Sequence, residues 1–309
     1  MSLVGHLSHA VGELTENLGD RGWLKNRFQR RVLHPLQAGV YPTYAGSTHV
    51  VEEDWDNLLI LDGCRADLFE ETVDRSRFDD YRRVTSLGSG SEEWTEKNFV
   101  DERFGGRSDG FGDIVYVTSN PYTSKVAGDR FHELIEVHED HFDEDIGQVR
   151  AEPVMEAAKQ ANADYPNKRL IVHFMQPHAP FLVSDWLDAG PHEEWERFER
   201  GELTREEMWR AYRETLEYVI DVAWSLVEDL DGKTVITADH GNLFGEFALP
   251  FPVRLYCHPN GLRYDGLVSV PWAIVDGDRR RIVDDGIHSA SVASDDAIDQ
   301  RLRDLGYRT

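Results

Sequence analysis

Two carboxylates and an imidazole stand where an open α/β sheet would carry out chemistry. Asp62 directly follows the apolar run Asn57-Leu58-Leu59-Ile60-Leu61. Asp239 and His240 directly follow Thr234-Val235-Ile236-Thr237-Ala238, and Gly241 permits a tight turn away from them. A short apolar run ending in a polar turn is the pattern of a buried parallel strand. Open parallel sheets place their sites beyond the carboxyl ends of their strands. Two strands would therefore bring Asp62, Asp239 and His240 to one edge. Carboxylate with imidazole suits Zn²⁺, Mn²⁺ or Fe²⁺, whereas an all-oxygen site suits Mg²⁺ or Ca²⁺. Taken singly, either aspartate reads equally as a turn residue or a helix cap.

The elements that must position these groups are legible along the chain. Further strands are expected at Ile114 to Val117, Arg169 to His173 and Val268 to Val275. Helical spacing runs over Pro153 to Ala163, Leu203 to Leu230 and the tail Ser291 to Leu305. Strands alternating with helices predict a mostly parallel central sheet covered by helices on both faces. Residues 46–309 form that α/β domain, and residues 1–45 read as a helical appendage. In the appendage, Lys25, Arg27, Arg30 and Arg31 lie beside Trp23, Leu24, Phe28, Val32 and Leu33. That pattern fits either a helix packed on its own domain or one lying on a membrane surface. The acidic stretch Glu133 to Asp145, with His132, His138 and His141, reads as a solvated loop.

The chain has 309 residues, with 33 Lys plus Arg against 58 Asp plus Glu, a formal charge of −25. Such an excess argues against nonspecific binding to nucleic acid or an anionic membrane. Lysine occurs only at Lys25, Lys97, Lys125, Lys159, Lys168 and Lys233. An acidic, lysine-poor surface fits a protein that stays soluble in strong salt, where the repulsion among carboxylates is screened. A halophilic, haloarchaeal source is the expectation. Cys64 and Cys257 provide neither a disulfide framework nor a CxxC pair. The N-terminus has no apolar run of the signal-peptide kind, and no segment reaches the roughly 18 apolar residues of a membrane span. The expected location is the cytoplasm, with membrane association through the N-terminal segment as a further reading.

Order and spacing of the motifs resemble the alkaline phosphatase and sulfatase superfamily, in its sulfatase-like branch. The resemblance is carried by Asn57 to Asp67, His173-Phe174-Met175-Gln176-Pro177-His178-Ala179-Pro180-Phe181, Thr234 to Gly241, His258-Pro259 and Val270-Pro271-Trp272. It implies an alkaline-phosphatase-like fold and a divalent metal, Zn or Mn, as one or two ions. Asp62, Asp239, His240 and a nucleophilic hydroxyl after Thr85 would hold the metal. Ser91 is the first choice for that hydroxyl, as nucleophile and ligand, and Ser89 the second. Ser89 also fits an ordinary N-cap with Glu92 completing a capping box, and both serines also fit a plain turn. Glu92 and Glu93 should point outward, away from an anionic substrate.

The resemblance also assigns roles to histidines and basic residues. His178, in the turn Pro177 to Pro180, would reach a phosphate oxygen or leaving group, and His258 would bind a metal or the substrate. His173 reads either as a core histidine or as a substrate contact. Arg65 and Lys125 are candidates for holding substrate oxygens, or are partners in ion pairs. No Cys-x-Pro-x-Arg motif supplies a formylglycine precursor, which disfavours the sulfatase route. The expected function is metal-dependent hydrolysis of phosphate monoesters or diesters through a serine nucleophile. The alternatives are phosphoryl transfer to a polar lipid or glycan, sulfoester hydrolysis, and a noncatalytic metal-binding role. The partner is a small-molecule, lipid-linked or glycan ester, and no nucleic acid.

Overall fold

The computed structural model describes residues 27–33, 35–36, 44–182, 186–187, 193–248, 251, 253–288 and 295–304. The chain divides between Ala45 and Gly46 into two units. In the first, the described residues include one π-helical turn, Gln29–Leu33. The helical expectation for Leu3 to Leu18 lies outside the described residues, as do Trp23, Leu24 and Lys25 of the basic–aromatic cluster.

The second unit is built on eleven strands among its described residues. These are β1 (Asn57–Leu61), β2 (Asp80–Thr85), β3 (Phe111–Thr118), β4 (Phe131–Glu136), β5 (Phe142–Asp143) and β6 (Gln148–Val149), then β7 (Arg169–Phe174), β8 (Thr234–Thr237), β9 (Leu243–Phe247), β10 (Arg254–Cys257) and β11 (Ser269–Val275). Seven form one sheet in the order β2-β11-β8-β1-β7-β3-β4. The pairs β8–β1, β1–β7, β7–β3 and β3–β4 are parallel, and β11 runs antiparallel to both β8 and β2. The mostly parallel sheet with helices is the alkaline-phosphatase-like arrangement that the motifs imply.

β1 is buried along its whole length because both faces of the sheet are covered. Its alternate residues serve opposite faces, since strand side chains alternate. Leu59 and Leu61 join one core cluster, with Leu68, Val154, Ala158, Leu216 and Val219 of the covering helices. Leu58 and Ile60 join the other, with Trp94, Phe99 and Phe131. The first face is covered mainly by helices Ala151–Asp164 and Arg205–Asp229. The longer one starts at a full capping box, Thr204 with Glu207, close to its expected boundary.

Edge strands β2 and β4 escape the apolar pattern. β2 reads Asp-Tyr-Arg-Arg-Val-Thr and is mostly half-buried or exposed. β4 overlaps the acidic stretch expected to be a loop. Phe131 to Glu136 pair with β3, and only the following residues leave the sheet, through the short helix His138–His141. An edge strand buries only part of its surface, so charge in its sequence is no argument against it. The two cysteines are free.

Candidate metal and nucleophile site

The four adjacent strands β3, β7, β1 and β8 end at one edge and deliver the site. Asp62 is the residue after β1, and its backbone amide donates to Phe174 O across the edge. His173 pairs with Ile60 in register and lies on the same sheet face. Asp239 and His240 come two and three residues after β8. Asn120 comes two residues after β3, where it also caps helix Pro121–Ala127.

Local contacts fix each turn. Gly63 has φ +66°, and a Cβ there would stand 2.8 Å from the Asn242 amide nitrogen. Its amide donates to Asp239 Oδ1 (3.0 Å), and its carbonyl accepts from the buried Tyr212 hydroxyl on the long helix. Tyr212 thereby ties the turn after Asp62 to the helical layer. Gln176 donates to Gln148 Oε1 and Val149 O, which anchors the turn that carries His178.

Asp62, His173 and Asp239 are fully buried, and their ligating atoms lie within 4.8 Å of one another. Asp62 Oδ2 accepts from Asn120 Nδ2 (2.6 Å) and from Ser91 Oγ (3.2 Å). Asp239 Oδ1 accepts from the amides of Gly63 and His240. The second oxygens, Asp62 Oδ1 and Asp239 Oδ2, are buried with no hydrogen-bond partner, as is His173 Nε2. His240 Nε2 faces both, 3.5 Å from Asp62 Oδ1 and 3.4 Å from Asp239 Oδ2. Its Nδ1 lies 2.8 Å from Gly241 O, which fixes the tautomer with the proton on Nδ1 and the Nε2 lone pair turned inward. Buried carboxylate oxygens without donors are costly unless a cation meets them. The donor set fits a divalent ion of the Zn or Mn kind.

Burial opposes the charge on Asp62. The close approach of His173 Nε2 (3.4 Å) and the neighbouring His178 and His240 outweigh it and hold the carboxyl well below its ordinary range. Burial pushes His178 and His258 the other way, toward the neutral ring, and for both the nearby His240 adds to it.

The two serines separate clearly. Ser91 opens the short helix Ser91–Thr95, and its Oγ lies 3.2 Å from Asp62 Oδ2 and 3.3 Å from His240 Nε2. Ser89 Oγ is occupied by Glu93 Oε2 (2.9 Å) and Pro259 O (3.1 Å) and accepts from Leu262 N. The expected capping box at Ser89 does not form, because the cap position falls on Gly90. A Cβ on Gly90 would come 2.2 Å from Asn260 Oδ1, the movable end of that side chain, and 3.4 Å from His258 Nδ1, so the two loops lie close at this point. Glu93 does not point outward as expected. It is nearly buried and holds Ser89, Lys97 and the Gly261 amide. Glu92 also departs from that expectation, since it lines the cavity over Ser91 with Tyr122, His258 and Asn260.

The remaining candidates are divided. His178 Nε2 meets His258 Nε2 at 2.8 Å, and the His178 Nδ1 proton points to Ala179 O. His258 thus faces the cavity and His178, and its ring stacks on His240 with centroids 4.4 Å apart, though it is not one of the three grouped ligands. His173, expected to touch substrate, sits behind the two carboxylates with no exposed surface, because its strand register places it under Asp62. Arg65 is directed away into Asp67, Glu246 and Asn242 O, and Lys125 pairs with Asp299. Both basic side chains therefore take the ion-pair reading. Asn120 was missed by sequence reasoning, although Asn-Pro directly after an apolar strand is a helix-start signal.

No family model matches the chain, and no curated protein matches it. Solved structures do. The integral membrane protein lipooligosaccharide phosphoethanolamine transferase A from Neisseria meningitidis has a TM-score of 0.52 at 16% identity, over 72% of this chain and 47% of that one. The C-terminal periplasmic domain of phosphoethanolamine transferase EptC from Campylobacter jejuni has 0.49 at 16% identity, over 72% and 78%. The phosphonate monoester hydrolase of Silicibacter pomeroyi has 0.39 at 14%, over 81% and 73%. This chain thus spans about half the length of the Neisseria protein. The similarity to the Neisseria protein shows a shared fold. No described helix is long and apolar enough to cross a membrane.

Proposed function

We propose that the chain is a metal-dependent phosphoryl-transfer enzyme that hydrolyses phosphate esters through Ser91. The observation that carries this reading is the Ser91 hydroxyl, held between Asp62 and the His240 lone pair beside two unpartnered carboxylate oxygens. Asp62, Asp239, His240 and His173 would hold one divalent ion, Zn or Mn. Bound there, the ion would lower the pKa of the hydroxyl and neutralise charge on the phosphoryl oxygens.

The chain's own residues supply the rest. Asp62 Oδ2, which already accepts the Ser91 hydroxyl hydrogen bond, takes the proton as Oγ bonds to phosphorus. The ester P–O bond breaks, and its oxygen leaves with a proton. His258 and His178 face that position, and their short Nε2 contact requires one proton between the two lone pairs. A hydrogen bond from that N–H steadies the departing oxygen, which takes its proton from solvent. A water then attacks the phosphoserine and gives its proton to solvent, and the displaced Oγ recovers its own proton from Asp62. An alcohol in place of water gives a transferase, the activity named for the Neisseria and Campylobacter proteins, and the acceptor would then be a polar lipid or glycan. Sulfoester hydrolysis is the weaker reading, since Ser91 cannot become formylglycine. The cytoplasmic location stays a proposal, tested by fractionating the source cells.

The test pairs metal analysis with turnover. Ser91→Ala should retain the metal and lose turnover of para-nitrophenyl phosphate and of its methyl diester by at least about a thousandfold, as expected when a nucleophile is removed. Matched para-nitrophenyl sulfate should be the poorer substrate of the wild type. Full activity of Ser91→Ala, or clear preference for the sulfate, would overturn the proposal.

A further inference from the structure

The cavity over Ser91 has a volume of about 170 Å³ and is lined by Ser91, Glu92, Tyr122, His258 and Asn260. Neither lysine nor arginine is among these lining residues. Arg65 and Lys125, the basic candidates from the sequence, are committed to Asp67, Glu246 and Asp299. Among the described residues, the wall of a site for an anionic ester therefore carries a carboxylate and no lysine or arginine, which leaves the ion proposed beside Ser91 to meet the phosphoryl oxygens.

Glu92 and Glu93 are adjacent in sequence but differently used. Glu93 is consumed by Ser89, Lys97 and Gly261. Glu92 is half-buried, and its carboxylate makes no hydrogen bond or ion pair among the described residues. Its charge nonetheless acts within the cavity. The Tyr122 phenol is pushed up first by burial and next by the negative charge of Glu92, ahead of that of Asp62. A tyrosine ring and a carboxylate on one cavity wall are the pair that holds organic ammonium groups.

We infer that this cavity selects a phosphodiester whose remaining substituent carries a positive charge, with Glu92 and Tyr122 as the specificity determinants. The inference rests on the phosphoryl-transfer reading and narrows it. A monoester brings close to two negative charges near neutral pH, and Glu92 repels both. A diester brings one, and a cationic substituent cancels it while facing Glu92. The site is thus built for a zwitterionic ester. One partly solvated charge pair at contact distance corresponds to about a tenfold preference.

The test uses the full chain loaded with Mn²⁺ or Zn²⁺ and three para-nitrophenyl esters: the aminoethyl diester, the ethyl diester and the monoester. In each diester the nitrophenolate leaves and the small substituent stays on phosphorus. The aminoethyl diester should exceed the ethyl diester about tenfold in kcat/KM, and the monoester should be the poorest. The readout for Glu92→Gln is the ratio of the two diesters, which should fall to within about twofold of one. Glu92→Lys should invert it. In the wild type alone, the ratio should shrink as NaCl rises from about 0.1 M to about 1 M, because the screening length falls from about 10 Å to about 3 Å. A salt-independent ratio, equal diester rates in the wild type, or an unchanged ratio in Glu92→Gln would overturn the inference and leave phosphoryl transfer intact. Failure of the metal-loaded wild type to turn over any of the three would instead overturn the phosphoryl-transfer reading.

Discussion

Asp239→Asn is the most informative single change, because it separates charge from shape. Asp239 Oδ1 accepts two backbone amides, from Gly63 at 3.0 Å and His240 at 2.9 Å, and an asparagine oxygen can keep both. The other oxygen has no donor, so no recorded hydrogen bond is lost there. What disappears is one negative charge within 4.8 Å of the Asp62 ligand atom. At an effective dielectric near 20, that repulsion is about 3 to 4 kcal/mol. The two amide bonds weaken when their acceptor becomes neutral, by about 1 kcal/mol each. The metal-free variant should therefore be more stable than the metal-free wild type by about 1 to 2 kcal/mol. For a chain of 309 residues, that raises Tm by roughly 1.5 to 3 °C. Metal reverses the order. At a thousandfold excess over Kd, an ion that binds only the folded state adds about 4 kcal/mol to the wild type. The variant, short of one anionic ligand, should gain little. The assay is thermal unfolding of both proteins in EDTA and again in Mn²⁺ or Zn²⁺, read by calorimetry. Equal metal-induced shifts in the two proteins would refute the assignment of Asp239 as a ligand. A metal-free variant several kcal/mol weaker than the wild type would refute the charge argument.

Three further outcomes follow from the same geometry. Ser89→Ala should lower stability by about 1 to 3 kcal/mol, because it leaves the Leu262 amide and its former acceptors in a buried loop, while turnover persists; loss of turnover there with an active Ser91→Ala would move the nucleophile to Ser89. In metal-free protein, His178 and His258 titrate lower when folded than when unfolded, so the stability they contribute is present above pH about 6.5 and is lost as pH falls below it; urea midpoints should drop by at most about 1.4 kcal/mol per pH unit for each ring, and His178→Gln should reduce the slope. The charge of −25 predicts a higher Tm in molar salt than in dilute buffer; equal values would remove the halophilic expectation.

Strands buried on both faces announced themselves, because β1, β7, β8 and β11 are apolar whichever way each residue points. Edge strands did not. β2 and β4 are held by one neighbour each; the charged residues of β2 are exposed, and in β4 Glu136 is covered by its ion pair with Arg301. The same distinction governs the site. Asp62 and Asp239-His240 were readable because strand ends fix where they must lie, whatever the loops do. His173 stayed open between a core histidine and a substrate contact because its neighbours in sequence are all core residues; the pairing of His173 with Ile60 shows that it sits beneath Asp62. Arg65 and Lys125 were ambiguous because a cation's partner is set by residues remote in sequence, as Glu246 and Asp299 are here.

Glu92 and Glu93 show why one pattern in sequence yields two roles in space. Successive residues at a helix start point about 100° apart, so adjacent glutamates cannot face the same surroundings. Glu93 turns into the Pro259 to Leu262 loop and fastens it to the Ser89 turn. That fastening brings Asn260 and His258 over Gly90, and with them the wall of the cavity on which Glu92 lies. One glutamate therefore builds the pocket and the other gives it its charge. Exchanging either for glutamine should consequently have separable effects: Glu93→Gln on the stability of the two loops, Glu92→Gln on the choice between esters.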